Sequence, residues 1–190
     1  MFSYLMTIPR YLKYGVLPRL LLLGTIVLST IEDNRNQVFA QIFGTPGNDI
    51  IFGTPGGDLI AGLSGDDTIN SIGGDDTNFG DNFAGSVDGG DDIIRSGDGS
   101  DANIGDNRIG GEDSGDDTIV SGDGDDSNLG DNLNFGGGGD DRISSGPGND
   151  GLRGGRGADI FSCGAGIDTV VDFNRAEGDR VAGDCEIVLP

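Results

Sequence analysis

The sequence has no histidine, a single lysine (Lys13), and 11 Lys and Arg residues in all against 33 Asp and Glu in 190 residues. Without histidine there is no Ser-His-Asp or Cys-His activation of a nucleophile and no histidine-ligated zinc. A formal net charge of −22 leaves too few cations to grip a nucleic acid by its phosphates. Hydrophobic residues make up only 34% of the chain, too little for a conventional core, while 38 residues are glycine. Such a chain repels itself and reads as disordered, unless positive charge is supplied from outside and order comes by repetition.

Cations are concentrated at the start. Arg10, Lys13 and Arg19 precede the apolar run Leu20 to Leu28, which is too short to span a bilayer comfortably. Val38 and Ala40 place small residues at −3 and −1 of a cut after Ala40. Residues 1–40 therefore read as a signal peptide or, if uncleaved, an N-terminal anchor, and the expected location is secreted or at the cell surface. Removing them leaves 150 residues with 7 Lys and Arg and 31 Asp and Glu, enough for one domain. The two cysteines, Cys163 and Cys185, are expected to form a disulfide, since an exported chain with an even count favours one.

A nine-residue unit dominates the remainder. Gly44 to Phe52, Gly53 to Ala61 and Gly62 to Asn70 align with glycine at positions one and four, aspartate at six and a branched apolar residue at eight. The unit returns in Gly154 to Ser162 and in Cys163 to Val171. Glycines permit a tight turn with left-handed backbone, and the last three residues make a short strand with one inward side chain. A lone unit cannot bury that side chain, so turns must stack with parallel strands. Stacking brings like-charged aspartates within about 4.7–4.9 Å of each other. A hard cation taking six to eight oxygens, calcium, would suit the gap better than magnesium.

Across residues 44–171 this pattern resembles the RTX (hemolysin-type) calcium-binding nonapeptide family, G-G-x-G-x-D-x-U-x. The resemblance implies an all-β fold, a right-handed parallel β-roll over residues 41–171, with 172–190 as a C-terminal cap. Multiple Ca²⁺ ions are the implied ligands. Asp172 and Asp179 in the cap are candidates for a terminal ion site.

Between residues 71 and 144 a longer period of 25 residues appears, two nonads plus about seven extra residues. Ser71 to Asn82, Ser96 to Asn107 and Ser121 to Asn132 are its copies. If every insert falls in the same half of a coil, the position-six aspartates sort into two columns of candidate calcium ligands. One holds Asp49, Asp67, Asp92, Asp117, Asp141 and Asp159; the other holds Asp58, Asp76, Asp101, Asp126, Asp150 and Asp168. The position-five acids Asp66, Asp75, Asp91, Asp116, Asp125 and Asp140 are expected to face solvent and attract calcium without ligating it. Ile51, Ile60, Ile69, Ile94, Ile119, Ile143, Leu152, Phe161 and Val170 are expected to form the inner ladder. In the long coils Asn78, Asn103 and Asn128 take position eight, so a bulge is expected that turns Phe79, Ile104 and Leu129 inward instead. The following Gly-Asp-Asn triplets would stack Asp81, Asp106 and Asp131 as a third acidic column. The preferred reading of these is turn formation in a solvated loop rather than an added cation row.

The functional expectation is an exported calcium-binding protein whose roll folds around Ca²⁺ held between stacked turns. The alternative is a calcium-scaffolded structural or adhesive surface protein that binds polysaccharide or mineral through the ledge of inserts. An enzyme is not expected: no G-x-S-x-G elbow or H-E-x-x-H is present and no room remains for a catalytic domain. An EF-hand at Asp101 to Glu112 fails because Asp106 stands where that loop needs glycine. The RTX family often leaves cells by a one-step exporter reading a C-terminal signal; the N-terminal segment and the cysteine pair here fit the general export pathway instead.

Overall fold

The computed structural model of the protein describes residues 29–32, 38–81, 89–106, 114–131 and 138–190. The apolar run of the expected signal segment and most of the three inserts lie outside the described residues. Short strands follow one another with tight turns between them, as the nonad dictates. In chain order the first eight are β1 (Ser29–Glu32), β2 (Val38–Phe43), β3 (Ile50–Phe52), β4 (Leu59–Leu63), β5 (Thr68–Asn70), β6 (Thr77–Asp81), β7 (Ile93–Arg95) and β8 (Ala102–Asp106). The remainder are β9 (Thr118–Val120), β10 (Ser127–Asp131), β11 (Arg142–Gly148), β12 (Gly151–Arg153), β13 (Ile160–Gly166), β14 (Thr169–Val171), β15 (Arg180–Val181) and β16 (Ile187–Val188). Among the described residues there is no helix.

From β2 onward the strands alternate between two parallel sheets. One runs β1-β2-β4-β6-β8-β10-β12-β14-β16 and the other β15-β13-β11-β9-β7-β5-β3. Only β1 breaks the pattern, pairing antiparallel with β2. The result is a parallel β-roll, with coils of 18, 25 and, once, 24 residues in one continuous stack.

The core lies between the sheets and is one side chain wide on each. Ile51, Ile69, Ile94, Ile119, Ile143 and Phe161 line one wall, fully buried; Ile42, Ile60, Leu152 and Val170 belong to the other. Every apolar ladder residue expected from position eight is therefore inside. Ala40 and Ile42 extend the ladder at the start, and Phe173, Val181 and Cys185 close against it at the end.

The expected bulge in the long coils is absent. Register runs straight through Ile60, Asn78, Asn103, Asn128 and Leu152, and the three asparagines are buried in the core. Phe79, Ile104 and Leu129 are half-buried on the outer face. In-register parallel stacking lets identical amides bond one another, which removes the reason to slip. Asn78 Nδ2 donates to Asn103 Oδ1 and Asn103 Nδ2 to Asn128 Oδ1, both at 2.9 Å. The same nitrogens donate to Ser71 Oγ at 3.0 Å and Ser96 Oγ at 2.7 Å. A slip of one residue would instead turn every side chain of the strand to the wrong face.

The C-terminal segment adds β15 to β13 and β16 to β14, both in parallel. Cys163, which fills a position-one slot, is bonded to Cys185 with a Cα–Cα distance of 5.2 Å. The disulfide therefore pins the cap to the last coil.

Candidate metal centres

Each turn ends at its position-six aspartate just before a strand, so parallel pairing of the strands stacks the aspartates. In the first column the N–H groups of Asp49, Asp67, Asp92, Asp117 and Asp141 donate to Oδ1 of the next aspartate along, at 2.7–2.9 Å. In the second, Asp58, Asp76, Asp101, Asp126 and Asp150 do the same at 2.7–2.8 Å. All twelve expected residues thus fall in the two columns, and all but Asp49 are buried.

The cap extends both columns with residues the repeat pattern did not mark. Asp159 N–H donates to Asp179 Oδ1 at 3.1 Å, and Asp168 N–H donates to Glu186 Oε2 at 3.0 Å. Asp172 does not join Asp179: it accepts from Arg153 Nε and from Gly155 N–H, each at 3.2 Å. Glu186 carries no repeat signal; it stands just before β16, which pairs with β14 and so sets it beside Asp168.

One oxygen of each carboxylate after Asp49 is thereby used, Asp58 Oδ1 accepting the N–H of Ala40. The other, Oδ2, is buried without a hydrogen-bond donor in Asp67, Asp76, Asp92, Asp101, Asp117, Asp126, Asp141, Asp150 and Asp168. An ionised oxygen in that condition needs a proton or a cation. Burial accordingly pushes the carboxyls above their usual 3.8: Asp92 and Asp141 to about 9, Asp67, Asp76, Asp126 and Asp159 to about 7, and Asp150 to about 6. Burial followed by the neighbouring Asp106, Asp141 and Asp92 charges raises Asp117 well above that value.

Glycine makes the crowding possible. A Cβ on Gly105, at position one, would overlap Asp117 Oδ2, and one on Gly122 would overlap the carbonyl oxygen of Gly97 in the turn before. Gly122 also has φ +112°, in the left-handed region. In the first-column turns position one is thus glycine for close approach, and position two, where it is glycine as at Gly122, has the left-handed backbone. The donor set is entirely oxygen, carboxylate and carbonyl together, and it fits a hard cation of flexible coordination such as calcium.

The position-five acids are exposed as expected. They also stitch the turns: Asp91 N–H donates to Asp66 Oδ1 at 3.2 Å and Asp116 N–H to Asp91 Oδ1 at 2.9 Å. The third column departs from expectation. Asp81, Asp106 and Asp131 are buried, not solvated. They stand at position two of the interrupted turns, paired in register at the ends of β6, β8 and β10. The sequence signal was the Gly-Asp recurring every 25 residues; what it could not show is that the chain beyond each insert folds back over the carboxylate.

A family model described as the RTX calcium-binding nonapeptide repeat (4 copies) matches residues 43–77 and 135–170. The chain carries RTX calcium-binding nonapeptide repeats. The stretch between the two matches is the one whose turns are interrupted by inserts, yet its strands keep RTX register with those on either side. RTX repeats bind calcium, and the two stacked columns hold buried carboxylate oxygens without donors. No curated protein matches the chain.

Proposed function

We propose that the protein is an exported calcium-binding module, not an enzyme, whose β-roll folds around Ca²⁺ held by the two position-six columns. The observation that carries this is the row of buried Oδ2 atoms lacking any donor, repeated turn after turn in both columns. Ions that bind only the stacked state convert their affinity into stability, and many weak extracellular-type sites, about 10⁻⁴ to 10⁻³ M each, suffice if filled together. Export is supported by the Cys163–Cys185 bridge and by the N-terminal cationic and apolar segment. Circular dichroism tests the proposal: the β signal seen in millimolar calcium should be lost in excess chelator, and a signal that chelator leaves unchanged refutes it.

An adhesive role is the second reading. It is favoured by the start of all three inserts from successive in-register strand ends, Asp81, Asp106 and Asp131. Cosedimentation of the calcium-loaded protein with insoluble polysaccharide tests it, with recovery in the pellet expected and none counting against it.

A further inference from the structure

The interrupted turns carry something the regular RTX turn lacks. At position two, where the sequence otherwise has glycine, Thr, Leu or Ile, they place an aspartate. Its Oδ2 accepts the N–H of the position-four glycine on the far side of the insert: Gly90 to Asp81 at 3.0 Å, Gly115 to Asp106 at 2.8 Å and Gly139 to Asp131 at 2.8 Å. This clasp closes each insert at its base and fixes the carboxylate inside the column. The other oxygen of Asp81 and of Asp131, Oδ1, is buried with no hydrogen-bond partner, as are Asp92 Oδ2 and Asp117 Oδ2. The carboxylates of these residues meet around Asp106. One carboxylate oxygen each from Asp81, Asp92 and Asp106 lie within 4.8 Å of one another, and so do those from Asp106, Asp117 and Asp131.

Turn formation accounts for the Oδ2 clasp but not for a second oxygen aimed at two other carboxylates out of water. Three ionised carboxylates buried in one place repel strongly unless a multivalent cation lies among them. Two oxygens on opposite sides of a Ca²⁺ ion are about 4.6–5.2 Å apart, which this spacing accommodates, whereas Mg²⁺ demands a tighter octahedron and keeps its waters. Position-one glycine leaves the required room, since a Cβ on Gly80 or Gly105 would overlap Asp92 or Asp117 Oδ2.

We infer that Asp81–Asp92–Asp106 and Asp106–Asp117–Asp131 are two further divalent-cation sites, built from three side-chain carboxylates each and bridged by Asp106. They are confined to the interrupted side of the roll, and they differ from the sites of regular turns in taking a position-two carboxylate as ligand. The inference rests on the calcium reading above. Its consequence is that each insert is anchored by the ion at its base, so calcium sets the spacing of the inserts as well as that of the strands.

Native mass spectrometry of the full chain with Ca²⁺ as the probe separates the two. In the variant Asp81→Asn/Asp106→Asn/Asp131→Asn the amide oxygen still accepts the glycine N–H, so the clasp survives while the charge is lost. It should bind two fewer calcium ions than the parent. The same charge removed from the exposed row, Asp91→Asn/Asp116→Asn/Asp140→Asn, should leave the count unchanged. If the triple variant fails to fold, Asp106→Asn alone, which belongs to both sites, should lose at least one ion. An unchanged count in the inner variants, or an equal loss in the outer one, overturns the inference. A parent that binds no calcium at all fails the underlying reading instead.

Discussion

Gly105 and Gly47 occupy the same chain type in opposite circumstances. A Cβ at Gly105 would overlap Asp117 Oδ2, while one at Gly47 meets nothing within 4 Å. Gly105→Ala should displace a ligand carboxylate and cost about 1–3 kcal/mol of calcium-dependent stability, seen as a higher calcium midpoint. Gly47→Ala should leave that midpoint unchanged. The asparagine ladder gives a second contrast. Asn103→Leu leaves Asn128 Oδ1 without its bond in the core and Asn78 Nδ2 with Ser71 Oγ alone, at a cost of about 1–3 kcal/mol for the orphaned carbonyl. Replacing Asn78, Asn103 and Asn128 together by Leu removes both partners of each Asn–Asn bond, leaving only Ser71 and Ser96 Oγ short of a donor, and should cost less than the single variant in urea denaturation with calcium present. The twelve position-six ligand candidates were legible because one residue type recurs at one phase. Asn103 was misread because polar side chains are expected outside, and only in-register stacking, a property of neighbours in space, makes an inward amide self-satisfying.

Elements show the same division. Strand positions and their alternation between sheets followed from spacing, since every coil, of 18, 24 or 25 residues, holds two nonads. The clasp of Gly115 onto Asp106 did not, because it joins residues across an insert of no repeat character. At the far end, the two-residue strands β15 and β16 cover the last rungs, and the bridge from Cys163 to Cys185 ties them down across 22 residues. In the chain-entropy model a loop of that length contributes about 3 kcal/mol. Reducing the disulfide should lower stability by about that amount, and hydrogen exchange in calcium should then accelerate first at Arg180–Val181 and Ile187–Val188. Uniform acceleration along the roll would contradict a local cap.

For the molecule as a whole, charge decides. Burial raises the folded-state values of Asp92 and Asp141 to about 9 and of Asp67, Asp76, Asp126 and Asp159 to about 7, against 3.8 for a free carboxyl. The folded chain without metal therefore binds protons more tightly than the unfolded one, and its stability rises as pH falls from about 9 toward about 4 and gains no more below. In chelator, the β signal should grow on acidification through that window; with calcium, where protons compete for the same oxygens, the calcium midpoint should rise as pH falls from 7 to 5. The opposite trends would contradict the columns as the seat of the ions. The central claim, that cations between successive turns hold a self-repelling stack together, is tested most directly by a high-resolution crystal structure grown in millimolar calcium. Density for ions should stand beside the Oδ2 atoms of Asp67, Asp92, Asp117 and Asp141 and of Asp76, Asp101, Asp126 and Asp150. An intact roll with no ion at those oxygens would contradict it.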